Sequence, residues 1–205
     1  LILAGTLVVG GNLTSDAEKI EFNNASMFVK GNMEIRNTSY WPYYNNGIYM
    51  QHEADYLCVE GNLVYYPDRS DTKALTAGTI ELKGDLIAKK NLAATGSNRF
   101  LFSGEKKQTI TITKGQYFSI VDLQNNSREG VYSATMFEKK QLIRNNCRLT
   151  YGDGTGTYGW TLEEDYICEG DLVLWEDTLD LNGHTLTVTG DLIQNSVDIC
   201  LNGGT

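Results

Sequence analysis

The chain repeats one short pattern, in which alternating apolar and polar residues lead into Gly-Asn or Gly-Asp and then into Leu or Met. Successive copies lie about 20 residues apart, with one insertion of about ten residues and one long stretch where the pattern degenerates. A unit this short cannot bury a core alone, so it has to stack on its neighbours. The repeated pairs are Gly11-Asn12, Gly31-Asn32, Gly61-Asn62, Gly84-Asp85, Gly170-Asp171 and Gly190-Asp191.

The residues around each pair alternate with period two, which is typical of strands that bury one face. In the last full copy the apolar members are Leu186, Val188 and Leu192, and the residues between them are polar. Glycine adopts positive φ without strain, and Asn or Asp tolerates the left-handed region. We therefore expect each pair to form a positive-φ turn between two strands.

Stacked strand–turn–strand units predict an all-β fold, a parallel β-solenoid (β-helix) of about 20-residue rungs with loop insertions. An antiparallel β-sandwich also has short strands joined by turns, but the in-register recurrence of one pattern favours the solenoid. We expect a single domain over residues 1–205, with irregular rungs over about 93–160. Within that stretch, Ala134 to Arg144 has a weak helical apolar spacing that a short helix would explain.

Both ends of the chain predict that it is an excerpt of a longer repeat array. Residues 201–205 match residues 181–185, one repeat earlier, and residues 3–13 look like a repeat entered part-way. We expect flanking repeats of the same polypeptide as partners of the end rungs. Open strand edges at the ends would also favour end-to-end association of the fragment.

Composition narrows the classes of partner. The chain has 17 Lys and Arg against 26 Asp and Glu, a net charge of −9. This acidic balance disfavours nucleic acids and anionic membrane surfaces as partners. No apolar run approaches the roughly 20 residues of a bilayer-crossing helix, so we expect no membrane span in this segment.

One stretch resembles a known repeat family. Residues 179–194, Leu-Asp-Leu-Asn-Gly-His-Thr-Leu-Thr-Val-Thr-Gly-Asp-Leu-Ile-Gln, resemble the L-x-L-N-G-x-T-L-x-V-x-G-D-L repeat of very large secreted or cell-surface proteins of Gram-positive bacteria. Residues 75–86 and 53–63 look like the same module, and residues 102–110 are similar to a segment that follows it in that family. More loosely, the chain resembles the β-solenoid shafts of adhesins. The resemblance implies a bacterial extracellular or cell-surface location, a structural or adhesive role and no catalytic residues.

The insertion before Gly61 is rich in aromatic residues, which depart from the family pattern. Exposed rings stack on sugars or anchor protein partners, and binding residues concentrate in surface loops. Clustered rings also pack on each other or cover an edge of the solenoid, and we weigh that structural reading above the binding one. The candidate ligand-binding residues are Tyr40, Trp41, Tyr43, Tyr44 and Tyr49.

The carboxylates Asp171 and Asp191 lie one repeat apart, and stacking would place them roughly 5 Å from each other, close enough to share a cation. Asparagine fills the same position in three other copies, so the position needs a turn former more than a charge, and we expect no metal. His52 and His184 have no Ser or Cys at a spacing that suggests a nucleophilic triad. We expect no catalytic residues and no cofactor.

The four cysteines form no Cys-x-x-Cys motif, which disfavours zinc and thioredoxin-like sites. Cys168 replaces an inward valine of the repeat, so we expect it to be buried, whereas Cys58 and Cys200 fall on the outward parity. Four cysteines allow three disulfide pairings, and the sequence does not choose among them.

These observations favour a non-catalytic structural stalk segment of a bacterial surface or secreted adhesin-like protein. One alternative is an adhesin module that binds a glycan or a host or cell-surface protein through the loop at residues 40–49. Another is a polysaccharide-active β-helix enzyme, a lyase or hydrolase, although the hydrolase signatures of that fold are missing from the sequence.

Overall fold

The computed structural model describes residues 1–16, 19–36, 47–67, 73–89, 92–113, 116–133, 138–145, 147–151, 159–162, 164–168, 170–175, 178–195 and 198–205. Within these ranges the chain forms 24 strands and no helix. Every pairing between the strands is parallel. The strands stack as a β-solenoid, as the repeat predicts, and the antiparallel sandwich is excluded.

Each coil visits up to three faces in a fixed order. The first face has a three-stranded sheet at each end of the solenoid, and isolated bridges at Leu75, Ala93 and Ala94 lie between them. Its strands are β1 (Ile2–Leu3), β4 (Lys19–Phe22), β7 (Gly47–Tyr49), β18 (Gly159–Thr161), β21 (Thr178–Asp180) and β24 (Asp198–Cys200).

The second face is a seven-stranded sheet followed by a two-stranded one. The larger sheet contains β2 (Thr6–Val9), β5 (Ser26–Val29), β8 (Tyr56–Val59), β10 (Thr79–Leu82), β12 (Arg99–Phe102), β14 (Tyr117–Leu123) and β16 (Glu138–Asn145). The smaller sheet contains β19 (Tyr166–Cys168) and β22 (Leu186–Val188).

The third face is one continuous nine-stranded sheet, the longest in the described residues. It contains β3 (Leu13–Ser15), β6 (Met33–Arg36), β9 (Leu63–Tyr66), β11 (Leu86–Ala88), β13 (Gln108–Ile112), β15 (Val131–Ser133), β17 (Leu149–Tyr151), β20 (Leu172–Trp175) and β23 (Leu192–Asn195).

The core is a set of stacked apolar columns, because parallel in-register pairing places equivalent residues of successive coils against each other. On the second face Val29 pairs with Val59, Val59 with Leu82 and Leu82 with Phe102, and all four are fully buried. Aromatic packing contributes to the core in the middle, where the ring centroids of Phe100 and Phe118 lie 4.9 Å apart in an edge-on arrangement.

The prediction of a short helix from Ala134 to Arg144 is wrong. Residues 138–145 form β16, which pairs in parallel with β14 across a register shift between Val121 and Asp122. The exposed edge of β14 supplies backbone partners along that whole strand, and this tertiary pairing overrides a weak local helical pattern. Since the described residues contain no helix, they contain none that is long and apolar enough to cross a membrane.

Val59→Asp should destabilise the solenoid strongly, on the order of 3 kcal/mol or more, because it puts an unpaired charge into a fully buried column. Val188→Asp, at a half-buried position in the outermost coils, should cost less. Urea unfolding of both variants beside the wild type measures the difference. Equal losses would contradict the assignment of Val59 to the centre of the core.

Candidate functional site

The repeated Gly-Asn and Gly-Asp pairs form a ladder at the corner between the second and third faces. The side-chain Oδ1 of Asn12 accepts the backbone N–H of Asn32 at 2.8 Å, and Asn32 does the same for Asn62. The ladder continues from Asn62 to Asp85 and from Asp85 to the N–H of Thr109. Each side chain therefore ties its own coil to the next one along the chain.

In four of the six copies the repeat glycine serves close approach, whereas Gly11, in the first coil, has open space around it. Among the six, only Gly170 has a positive φ, of 126°. At Gly61 an added Cβ would lie 2.7 Å from the carbonyl carbon of Gly31, and at Gly190 it would lie 2.5 Å from that of Gly170. The expected positive-φ turn is thus wrong for most copies. Glycine is required because the corner of one coil rests directly on the corner of the coil before it.

The stacked carboxylates Asp171 and Asp191 belong to the same ladder. Oδ1 of Asp171 accepts the N–H of Asp191 at 3.0 Å, and its other oxygen lies 3.8 Å from the guanidinium of Arg148. In the part of the chain that the structure describes, no group of three or more His, Cys, Asp or Glu side chains is arranged to hold a metal ion. The oxygens of Asp171 thus have structural partners, and the expectation of no metal remains a prediction.

Of the aromatic candidates, Tyr40, Trp41, Tyr43 and Tyr44 lie outside the described residues. Tyr49 is at the end of β7 and only 8% exposed, with the ammonium of Lys19 5.3 Å from its ring centroid. Its ring therefore packs within the fold and presents little surface to a ligand.

The return of the insertion into the fold is tightly fixed at Gly47. This residue has φ of +117°, and an added Cβ would collide with the hydroxyl of Tyr65 in the next coil. Tyr65 is 3% exposed, and burial raises its pKa to about 12. Sequence reasoning missed this role for Tyr65, because Tyr65 lies on the inward parity of its strand, where any apolar residue would fit.

Sequence reasoning also missed several buried polar side chains that hold corners. Asp55, 1% exposed, accepts the backbone N–H groups of Gln51 and His52 at 3.0 Å and that of Ala25, one coil earlier, at 3.3 Å. Gln108 and Asn125 are equally buried and organise two loops in the middle of the chain. The only sequence signal for Gln108 and Asn125 is the interruption of the repeat around them, whereas Asp55 lies within a copy of the repeat and has no such signal.

The cysteines follow the predicted parity but not always the predicted exposure. Cys168 is fully buried, as expected, and Cys200 is exposed. Cys58 points outward yet is 5% exposed, between Phe28 and Glu81 of the adjacent strands, and burial raises its pKa. All four cysteines are free thiols in the structure.

A buried tyrosine pair marks the interior near the C-terminal end. The hydroxyls of Tyr151 and Tyr166 lie 3.0 Å apart, and burial raises the pKa of both well above 10.0, the ordinary tyrosine value. Such a pair links the second and third faces through the core by a hydrogen bond.

No protein-family model matches the sequence, and neither do the curated proteins or the solved structures with which it was compared.

Asn62→Ala should lower the free energy of unfolding by about 1 kcal/mol, because the N–H of Asp85 loses its acceptor. Asn62→Asp keeps an oxygen in the same place and should remain near the wild-type value, as Asp85 and Asp171 do in other coils. Chemical unfolding and amide exchange at Asp85 test this pair. Equal stability of the Ala and Asp variants would refute the ladder as a source of stability.

The buried tyrosines predict instability at alkaline pH. Their folded pKa lies above the ordinary value of 10.0, and that of Tyr65 reaches about 12. Their contribution to stability is therefore complete below pH 10 and is lost as the pH rises above 10 toward the folded pKa of each tyrosine. Unfolding measured from pH 8 upward should show this loss, and it should be smaller in Tyr151→Phe/Tyr166→Phe. An identical pH profile for that double variant would show that the pair does not contribute.

Proposed function

We propose that this chain is a non-catalytic structural stalk segment of an extracellular or surface-exposed adhesin-like protein. The observation that carries the proposal is the unbroken third face, in which nine parallel strands run from Leu13 to Asn195. A spacer needs a repeating unit that adds length without changing shape, and stacked coils provide this at about 4.8 Å per coil.

The interactions between coils suit this role because the same kinds of interaction join each coil to the next. Backbone pairing, buried columns and the corner ladder each join a coil to the next one, so rigidity is distributed along the axis. The bacterial origin and the surface location rest on the sequence resemblance alone and are part of the proposal.

An adhesin module that uses the 40–49 loop remains the second candidate. The aromatic composition of that loop favours it, because aromatic rings stack on sugars or anchor protein partners and binding residues concentrate in loops. The polysaccharide-active enzyme has no comparable observation in its favour, and release of new reducing ends from a glycan panel would establish it.

Length scaling tests the stalk. Insertion of three tandem copies of the module at residues 172–191 should lengthen the particle by about 14 Å while leaving its cross-section unchanged. Small-angle X-ray scattering measures both quantities, and an insertion of the same composition in scrambled order is the control. A longer chain that becomes wider or more globular would rule out an additive stalk.

A further inference from the structure

Charge is distributed very unevenly along the solenoid. Residues 99–148 carry nine Lys or Arg and four Asp or Glu, which gives a net charge of +5 in a chain whose total is −9. Residues 149–205 carry eleven Asp or Glu and no Lys or Arg. The middle coils are therefore a basic segment between acidic ones, and such a segment attracts anions locally although the chain as a whole repels them.

The same middle coils interrupt the corner ladder. The last step of its N-terminal part is the bond from Thr109 to Asp85, and within the described residues the next such step is between Asp171 and Asp191. Between them, the corner is made by longer loops at residues 103–107 and 124–130 and by the turn at residues 147–148 before β17. Insertions in a repeat protein gather on one side of the array, often the binding side.

Buried amides hold these loops in place. Gln108 is fully buried; its Nε2 donates to the carbonyls of Leu82 and Gly84 at 2.9 and 2.7 Å, and its Oε1 accepts the N–H of Gly104. Asn125 donates to the same Oε1 at 2.9 Å and to the carbonyl of Lys106 at 2.7 Å. The two loops are thus joined through the protein interior and have a defined shape.

On the outside, the loops and the following turn display four exposed cations, which we name the cation corner: Lys106, Lys107, Arg128 and Arg148. They lie on adjacent coils, because the N–H of Gln108 donates to Gly130 at 3.1 Å and the N–H of Val131 donates to Arg148 at 2.8 Å. Successive coils are about 4.8 Å apart, so the corner presents cations over roughly 10 Å along the axis.

The surroundings of the cation corner are mixed. The ammonium of Lys107 lies 4.6 Å from the ring centroid of Tyr132, a half-buried side chain on the third face. Glu105 and Glu129 are exposed in the same loops, and Arg148 is 3.8 Å from Asp171. Such a surface suits a ligand that combines negative charges with neutral hydroxyl groups and a ring face.

We propose that the cation corner binds an acidic polysaccharide through its carboxylate or sulfate groups, with Tyr132 beside a sugar ring. Lys and Arg form charge-assisted hydrogen bonds with such groups, and an aromatic ring packs on the apolar face of a sugar. Duplex nucleic acid fits less well, since it carries one charge per 1.7 Å and would extend from the corner over the acidic coils. This site goes beyond the stalk proposal, which needs no ligand.

The experiment compares two variants with equal charge change. Lys106→Gln/Lys107→Gln/Arg128→Gln removes three cations of the corner, and Lys19→Gln/Lys30→Gln/Lys89→Gln removes three cations elsewhere. Biolayer interferometry measures binding to polygalacturonate, dextran sulfate, uncharged dextran and duplex DNA at low and high salt. All substituted residues are exposed or half-exposed, and thermal unfolding verifies that both variants are folded.

The wild type and the control variant should bind polygalacturonate or dextran sulfate in a salt-sensitive manner, and the corner variant should bind at least roughly tenfold more weakly. Absence of binding, equal binding by both variants or equal binding to dextran would overturn the proposal. Tighter binding to DNA than to the polysaccharides would replace it with a nucleic-acid site. Loss of binding in Trp41→Ala instead would place the glycan at the 40–49 loop. None of these results bears on the stalk, whose length scaling is measured separately.

Discussion

Backbone hydrogen bonding between successive coils is the constraint on which the rest of the structure depends. A coil of this size has no partner for its strands except the coil before and the coil after it, so every other feature has to permit that approach. The repeat glycines permit it by having no side chain where one corner rests on another. The Asn and Asp ladder satisfies the N–H groups that a bare corner would leave open. Alternation of apolar and polar residues follows, because one side of each strand faces the enclosed core.

Much of this architecture could be predicted from the sequence, since period two and a fixed repeat each admit few solutions. Strand positions, the inward columns and the burial of Cys168 follow from them directly. The sequence could not show why glycine occupies the repeat position, because a positive-φ turn and a close contact between coils both require glycine. The strand at residues 138–145 could not be predicted either, because no Gly-Asn or Gly-Asp pair marks it and its own apolar pattern is weak.

The candidate site was less predictable than the fold. An aromatic residue in an insertion predicts a binding surface, yet Tyr49 packs against Lys19 and is nearly buried. The sequence predicts no role for Gln108 and Asn125, because polar residues in an irregular stretch are typical of any surface loop. Their importance depends on which carbonyls and amides they meet across two coils, and no local pattern encodes this information. The sequence did show where the repeat becomes irregular, over about residues 93–160, and this stretch contains the basic segment at residues 99–148.

The ladder at the corner also has a polarity. Each side-chain oxygen faces the coil that follows it in the chain, so a completed coil already displays the acceptor that the next corner requires. A chain that emerges from a ribosome or a secretion channel with its N-terminus first would meet this acceptor at each step where the ladder is present. Along the ladder, assembly in that direction needs only contacts between neighbouring coils, so folding can follow the order of synthesis.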